Sequence, residues 1–179
     1  MSQIASTYGL SLYCLAVDEN AAAEILEQMN AVTSILQAQP QFTQLLSAQN
    51  LTREERIAMV DTCFRGHVNP YFLNFLKILT EKGYIRHYDD CFREYRDAYY
   101  ADNNVLPVSV VSAIELRPAQ IGRLQDKLEE LTGETVLLSY AVDEGCIGGI
   151  RLDYDGKRID GTVSTRLKSV AELLKNVAF

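Results

Sequence analysis

An all-α unit followed by a small α/β unit with a short mixed sheet is the fold class this sequence predicts. Three observations predict it. Apolar residues recur at helical spacing through the first hundred residues. The polar break Asp102-Asn103-Asn104 is followed at once by a β-branched run, Val105 to Ile114. Beyond that run come a helical stretch, a second strand and a hairpin signal. The expected units are a six-helix bundle over 1–104 and an α/β unit over 105–179.

The first helix carries Ile4, Tyr8, Leu12 and Leu15. A second follows Asn20, with Ile25, Leu26, Met29, Val32, Ile35 and Leu36 on one stripe. Pro40 opens a third, with Phe42, Leu45 and Leu46, because proline is tolerated in a helix's first turn. Thr52 and Glu55 have capping-box spacing ahead of Ile57, Val60, Cys63 and Phe64. Asn69-Pro70 starts the fifth, whose Phe72, Phe75, Leu76 and Leu79 point inward until Gly83 ends it. The sixth runs from Tyr84 to about Asp102, with Tyr88, Cys91, Phe92, Tyr95 and Tyr99. Short connections between six helices imply an antiparallel bundle.

In the second unit Pro118 opens a helix with Ile121, Leu124, Leu128 and Leu131 on one face, stopped by Gly133. Thr135 to Val142 is a strand. Strand, helix, strand implies a right-handed crossover and a parallel first pair. Asp155-Gly156 is a hairpin turn pair. Gly148 and Gly149 mark a bulge or a close backbone approach. Gly161 follows the last strand, and Thr162 stands where a hydroxyl caps a final helix.

The net charge of −7 argues against a general nucleic-acid binder, which needs a positive face. Residues 1–104 hold 8 Lys/Arg against 13 Asp/Glu, and residues 105–179 hold 9 against 11, so the acidity concentrates in the helical half. Surface acidity is first of all solubility, and second a match for a basic partner. Cys14, Cys63, Cys91 and Cys146 share no C-x-x-C or C-x-H spacing, and the three on predicted helices are expected to be buried. The chain opens on Met1-Ser2-Gln3 without a signal-peptide pattern, and no run of about 18 apolar residues could span a bilayer.

For chemistry the sequence offers little. Gly145-Cys146-Ile147-Gly148-Gly149 lacks the spacing and the lysine of a phosphate loop and leads into a strand. A Cys146 nucleophile would need His67 or His87, both in the helical half. Asp155 is accounted for by the turn and Asp160 by orienting the backbone after it, leaving no metal set with Asp153. The expectation is no cofactor, no metal and no catalytic group. Tyr71, Tyr84, Tyr88, Tyr95, Tyr99 and Tyr100 are read as half-buried core first and interface second.

Gly148-Gly149, then Ile159-Asp160-Gly161-Thr162-Val163 with Arg166-Leu167, resembles the G-G … I-D-G-S/T-V … R-L pattern of one family. Val111-Ser112-Ala113 with Leu116, Asn74-Phe75-Leu76-Lys77 with Glu81 and Gly83, and Tyr8 with Leu12 match its other stretches in order. That family is the delta subunit of rotary ATP synthases, which includes the mitochondrial oligomycin-sensitivity-conferring protein. The resemblance implies a non-catalytic stator subunit, at the cytoplasmic face of the cell membrane through its complex and present in one copy. It implies that the bundle grips the N-terminal segments of the alpha subunits and that the C-terminal unit meets the C-terminal end of subunit b. It implies an alpha-binding face on the first and fifth helices, placing Tyr8, Ser11, Leu12, Phe75, Ile78 and Leu79 at or beside it. The resemblance further implies that Gly148, Gly149, Asp160, Gly161 and Thr162 form the structural motif and that the stalk-binding surface falls around Asp160 to Leu167 and the last helix.

Three departures stand out. Gly83-Tyr84-Ile85 replaces a usual Gly-Arg-Leu, and Thr162 a usual serine. Gly9 replaces a usual alanine, at about 1 kcal/mol of helix propensity, with a looser first helix expected. The alternatives at this point are a free-standing adaptor that binds an amphipathic helix and, more remotely, an enzyme using Cys146.

Overall fold

The computed structural model describes residues 3–46, 51–154 and 156–163. Six helices come first among these: α1 (Gln3–Asp18), α2 (Ala22–Ala38), α3 (Pro40–Leu46), α4 (Arg53–Phe64), α5 (Pro70–Glu81) and α6 (Tyr88–Asp102). Then follow β1 (Val105–Ser112), α7 (Pro118–Thr132), β2 (Thr135–Val142), β3 (Ile150–Tyr154) and β4 (Lys157–Asp160). The chain divides into two compact units, Met1–Tyr99 and Tyr100–Phe179, the division falling in the last turn of α6. The final helix expected after Thr162, with Arg166 and Leu167, lies outside the described residues, as does the turn residue Asp155.

Local chemistry sets the helix ends. Thr52 Oγ1 accepts the Glu55 N–H at 3.2 Å, and Glu55 Oε2 accepts the Thr52 N–H at 2.8 Å, closing the capping box at α4. Asn69 Oδ1 accepts the Tyr71 N–H at 3.0 Å ahead of Pro70. At the far end of α5 the Tyr84 N–H reaches the Leu79 carbonyl at 2.7 Å, and the chain re-enters through a 3-10 turn at Ile85–His87. The sixth helix therefore starts at Tyr88, because the Gly83 reversal must be completed first.

The helical core gathers Ile25, Met29, Phe72, Leu76, Leu79, Tyr88 and Tyr95. Taking a large apolar side chain of this kind out of water stabilises the fold by roughly 1.5–3 kcal/mol. Tyr88 donates its hydroxyl to the Met29 carbonyl at 2.8 Å, and Tyr95 donates to the Ala22 carbonyl at 2.9 Å, so α6 is tied to α2 at two levels. Burial pushes the Tyr88 phenol far above its usual pKa, which keeps the donor protonated.

Several expected core positions lie elsewhere. Leu15, Ile35 and Leu131 are exposed, the last at 71%. The buried face of α1 is instead Ala5, Leu12, Tyr13 and Ala16, rotated from the expected stripe. Gly9 explains the rotation: a Cβ there would sit 2.6 Å from the Cys91 carbonyl oxygen, so α1 crosses α6 backbone to backbone. Cys14 and Cys63 are exposed, and of the three helical cysteines Cys91 is the buried one.

The sheet of the second unit has the order β2-β1-β3-β4. β1 and β2 run parallel with Val105 opposite Thr135, and α7 supplies the crossover. β3 pairs antiparallel with both β1 and β4. Val108, Val110, Val136 and Leu152 make the core of one sheet face, and Leu124 and Leu128 of α7 pack on it.

Candidate interaction surfaces

The expected alpha-facing residues fall into two groups. Leu12, Phe75 and Leu79 are core, with Leu79 fully buried. Tyr8 and Ile78 are half-buried and Ser11 is exposed. Two contacts fix how their helices lie. Tyr8, in the second turn of α1, meets Tyr84 just past the end of α5, edge to face at 6.0 Å. Beyond the other end of α1, the Glu19 carboxylate comes up to Tyr71 in the first turn of α5 and raises the phenol's pKa. The helices are therefore antiparallel neighbours. Their seam presents Tyr8, Ser11 and Leu15 from α1, and Tyr71, Asn74 and Ile78 from α5, each set at spacings of three and four.

Leu15 and Tyr71 belong to this seam and were not expected there. A leucine at helical spacing reads as core, and what marks Leu15 is its place seven residues after Tyr8 on the same face. Tyr84, where the resemblance led an arginine to be expected, is an aromatic wall against Tyr8. The other flank of α5 faces α4, where Lys77 pairs with Asp61 and Arg53 with Glu81. Lys77 and then Arg65 hold the Asp61 carboxyl below its usual range, a surface effect of small stability value.

The structural motif is a crossing of two backbone strands. The Gly161 N–H donates to the Ile150 carbonyl at 3.0 Å, and the Val163 N–H to the Gly148 carbonyl at 2.9 Å. Asp160 Oδ1 accepts the Thr162 N–H at 2.9 Å, and Thr162 is buried. Gly149 has φ of +80°, and a Cβ there would stand 2.6 Å from the Gly161 carbonyl oxygen. The motif glycines let two chain segments touch.

Cys146 is buried next to Gly148 and Gly149, while His67 and His87 belong to the other unit. No group of three metal-ligating side chains occurs among the described residues. No described helix is long and apolar enough to cross a membrane. Burial pushes the Cys91 thiol up to about 11, which suppresses its thiolate. In native protein a thiol reagent is expected to label Cys14 and Cys63 quickly, and Cys91 and Cys146 only after denaturant. Mass spectrometry of a time course checks this, and equal rates at all four would refute the burial pattern.

Comparison with known proteins places these features. The fold is shared with a chain of the Toxoplasma gondii mitochondrial ATP synthase hexamer, with a TM-score of 0.76 over 97% of this chain and 98% of that one, at 16% identity. That likeness defines the class, a two-unit fold found in an ATP synthase assembly. ATP synthase subunit delta of Clostridioides difficile is 28% identical over 97% of both chains. The Moorella thermoacetica subunit delta is 28% identical over 96% of both. The family model described as ATP synthase delta (OSCP) subunit matches residues 4–174. The chain belongs to the ATP synthase delta (OSCP) subunit family, a non-catalytic stator component of the enzyme's peripheral stalk.

Proposed function

We propose that the helical unit grips N-terminal segments of the alpha subunits along the α1–α5 seam, while the C-terminal unit meets the C-terminal end of subunit b. One copy per complex, at the cytoplasmic face of the membrane, would then tie the catalytic head to the stalk and stop it from turning with the rotor. The observation that carries the first half is the seam itself. Leu15 and Tyr71 are exposed at 39% and 38%, and Tyr8, Tyr84 and Ile78 are half-buried beside them. An amphipathic helix laid there would cover apolar surface that the bundle leaves open.

The test is titration of the full chain with a synthetic peptide of the same organism's alpha-subunit N-terminus, followed by calorimetry. Saturable one-to-one binding is expected. Ile78→Asp is expected to weaken it about tenfold, or ~1.4 kcal/mol, with far-UV helicity unchanged because Ile78 is only half-buried. Leu79→Asp, one residue on, is expected to unfold the bundle instead, since that side chain is fully buried. Absence of binding, or unchanged affinity in Ile78→Asp, would remove this seam from consideration.

A further inference from the structure

The two edges of the C-terminal sheet are treated differently. The β4 edge is short, four residues, and carries Lys157 and Arg158, with Arg158 held against Asp153 at 2.5 Å. Short charged edges are protected from adding strands. The β2 edge is eight residues, Thr-Val-Leu-Leu-Ser-Tyr-Ala-Val, without a charge or a proline.

Backbone parity shows what that edge offers. The Thr135 N–H donates to the Asn104 carbonyl and the Asp143 N–H to the Ser112 carbonyl, so odd-numbered residues of β2 turn their polar groups toward β1. Even-numbered residues turn theirs outward. At Val136 the outward pair is already occupied from α7. Glu129 Oε1 accepts the Val136 N–H at 3.0 Å, and Gln125 Nε2 donates to the Val136 carbonyl at 3.1 Å. Side chains there imitate a neighbouring strand. At Leu138, Tyr140 and Val142 the described residues provide no such cover. Around them Leu137, Tyr140 and Val142 expose 49%, 64% and 55% of their surface.

Charge decides the occupant. Residues 128–150 contain Glu129, Glu130, Glu134, Asp143 and Glu144 and no Lys or Arg. A second copy pairing edge to edge about a two-fold axis would run antiparallel. It would bring Glu134 of each copy toward Asp143 and Glu144 of the other. Self-pairing is therefore opposed, and a strand with cationic ends is favoured. We infer that the outer edge of β2, from Leu138 to Val142, is a strand-addition site for an extended apolar segment of another polypeptide flanked by lysine or arginine. This goes beyond the seam on α1 and α5 and stands whichever protein supplies the segment.

The probe is a peptide of alternating valine and threonine with paired lysines at both ends, added to the full chain. Amide hydrogen exchange at Leu138, Tyr140 and Val142 is expected to slow about tenfold on saturation, with Leu137 and Ser139 little changed. A peptide with glutamates in place of the lysines is expected not to bind. Tyr140→Pro removes an outward N–H while sparing the ladder to β1, as edge prolines do, and is expected to weaken binding about tenfold. If that variant fails to fold, the exchange pattern in the unaltered chain decides. Four results would overturn the inference: those amides already protected in the free monomer, dimerisation of the free chain through this edge, equal binding of both peptides, or no binding. The seam could still hold its helix in every one of those cases, because that is read by the alpha-subunit peptide.

Discussion

Gly9→Ala is expected to destabilise the helical unit by about 1–3 kcal/mol, the usual cost of forcing an extra carbon into packed structure. The added Cβ would lie 2.6 Å from the Cys91 carbonyl oxygen and 3.0 Å from the Glu94 Cβ. The first obstacle is backbone, so relief requires α1 to move away from α6. That separation would strain the Tyr13–Tyr95 contact, edge to face at 5.3 Å. The gain in helix propensity, about 1 kcal/mol, works in the opposite direction and is outweighed. The control is the same exchange in α7, where Gly122 has nothing within 4 Å of a new Cβ. Gly122→Ala is expected to stabilise by up to about 1 kcal/mol. Urea titrations of both variants check the pair. If Gly9→Ala were neutral or stabilising, the close crossing of α1 and α6 would be wrong.

Gly149→Ala is expected to abolish the cooperative melting of the C-terminal unit while leaving the helical unit's transition in place. Two penalties add. A non-glycine residue at φ of +80° costs roughly 1–2 kcal/mol. The new Cβ would also fall 2.6 Å from the Gly161 carbonyl oxygen and 3.1 Å from the Thr162 Cα. Neither neighbour is the flexible end of a side chain. Pushing them apart would break the Gly161–Ile150 and Val163–Gly148 hydrogen bonds together. Gly156→Asn makes the comparison: its φ is also positive, at +68°, but open space surrounds it and asparagine tolerates that conformation. Its effect is expected to stay well below that of Gly149→Ala. Differential calorimetry with amide spectra of β3 separates the outcomes. Intact β3 amides in Gly149→Ala would show that the crossing is dispensable.

Much of this architecture was legible in the chain. The capping box at Thr52 and Glu55, the Asn69-Pro70 start and the β2 limits between Gly133 and Asp143 all rest on local chemistry, which sequence carries directly. The parallel pairing of β1 with β2 followed from the helix between them. The strand order did not, because a hairpin can dock on the free edge of β1 or of β2 without changing any local signal. Helix faces were read correctly where large residues mark them, as on α5. The stripe on α1 differs from the buried face because its closest approach to α6 is at Gly9, and a glycine announces nothing in a hydrophobic period. Leu15, Ile35, Leu131, Cys14 and Cys63 have the spacing of core residues yet are exposed, because apolar spacing gives a stripe and only packing partners decide which edge of the stripe is covered.

The candidate seam shows the same division. Six residues were named for it, and burial separates Tyr8, Ser11 and Ile78 from Leu12, Phe75 and Leu79. No rule of spacing could have done so, since both groups alternate along the same two helices. The ring contact of Tyr84 with Tyr8 is likewise carried by no sequence signal, since the two residues lie far apart in the chain.

The two tyrosine hydroxyls that reach from α6 to the carbonyls of Ala22 and Met29 have a mechanical consequence. Apolar side chains alone resist separation, but they let one helix glide past another by a turn at modest cost. A pair of directional bonds, spaced along the same two cylinders, works as a key in a slot: it opposes sliding and twisting as well as pulling apart. A stator component of a rotary enzyme works under load, and stiffness of that kind suits it.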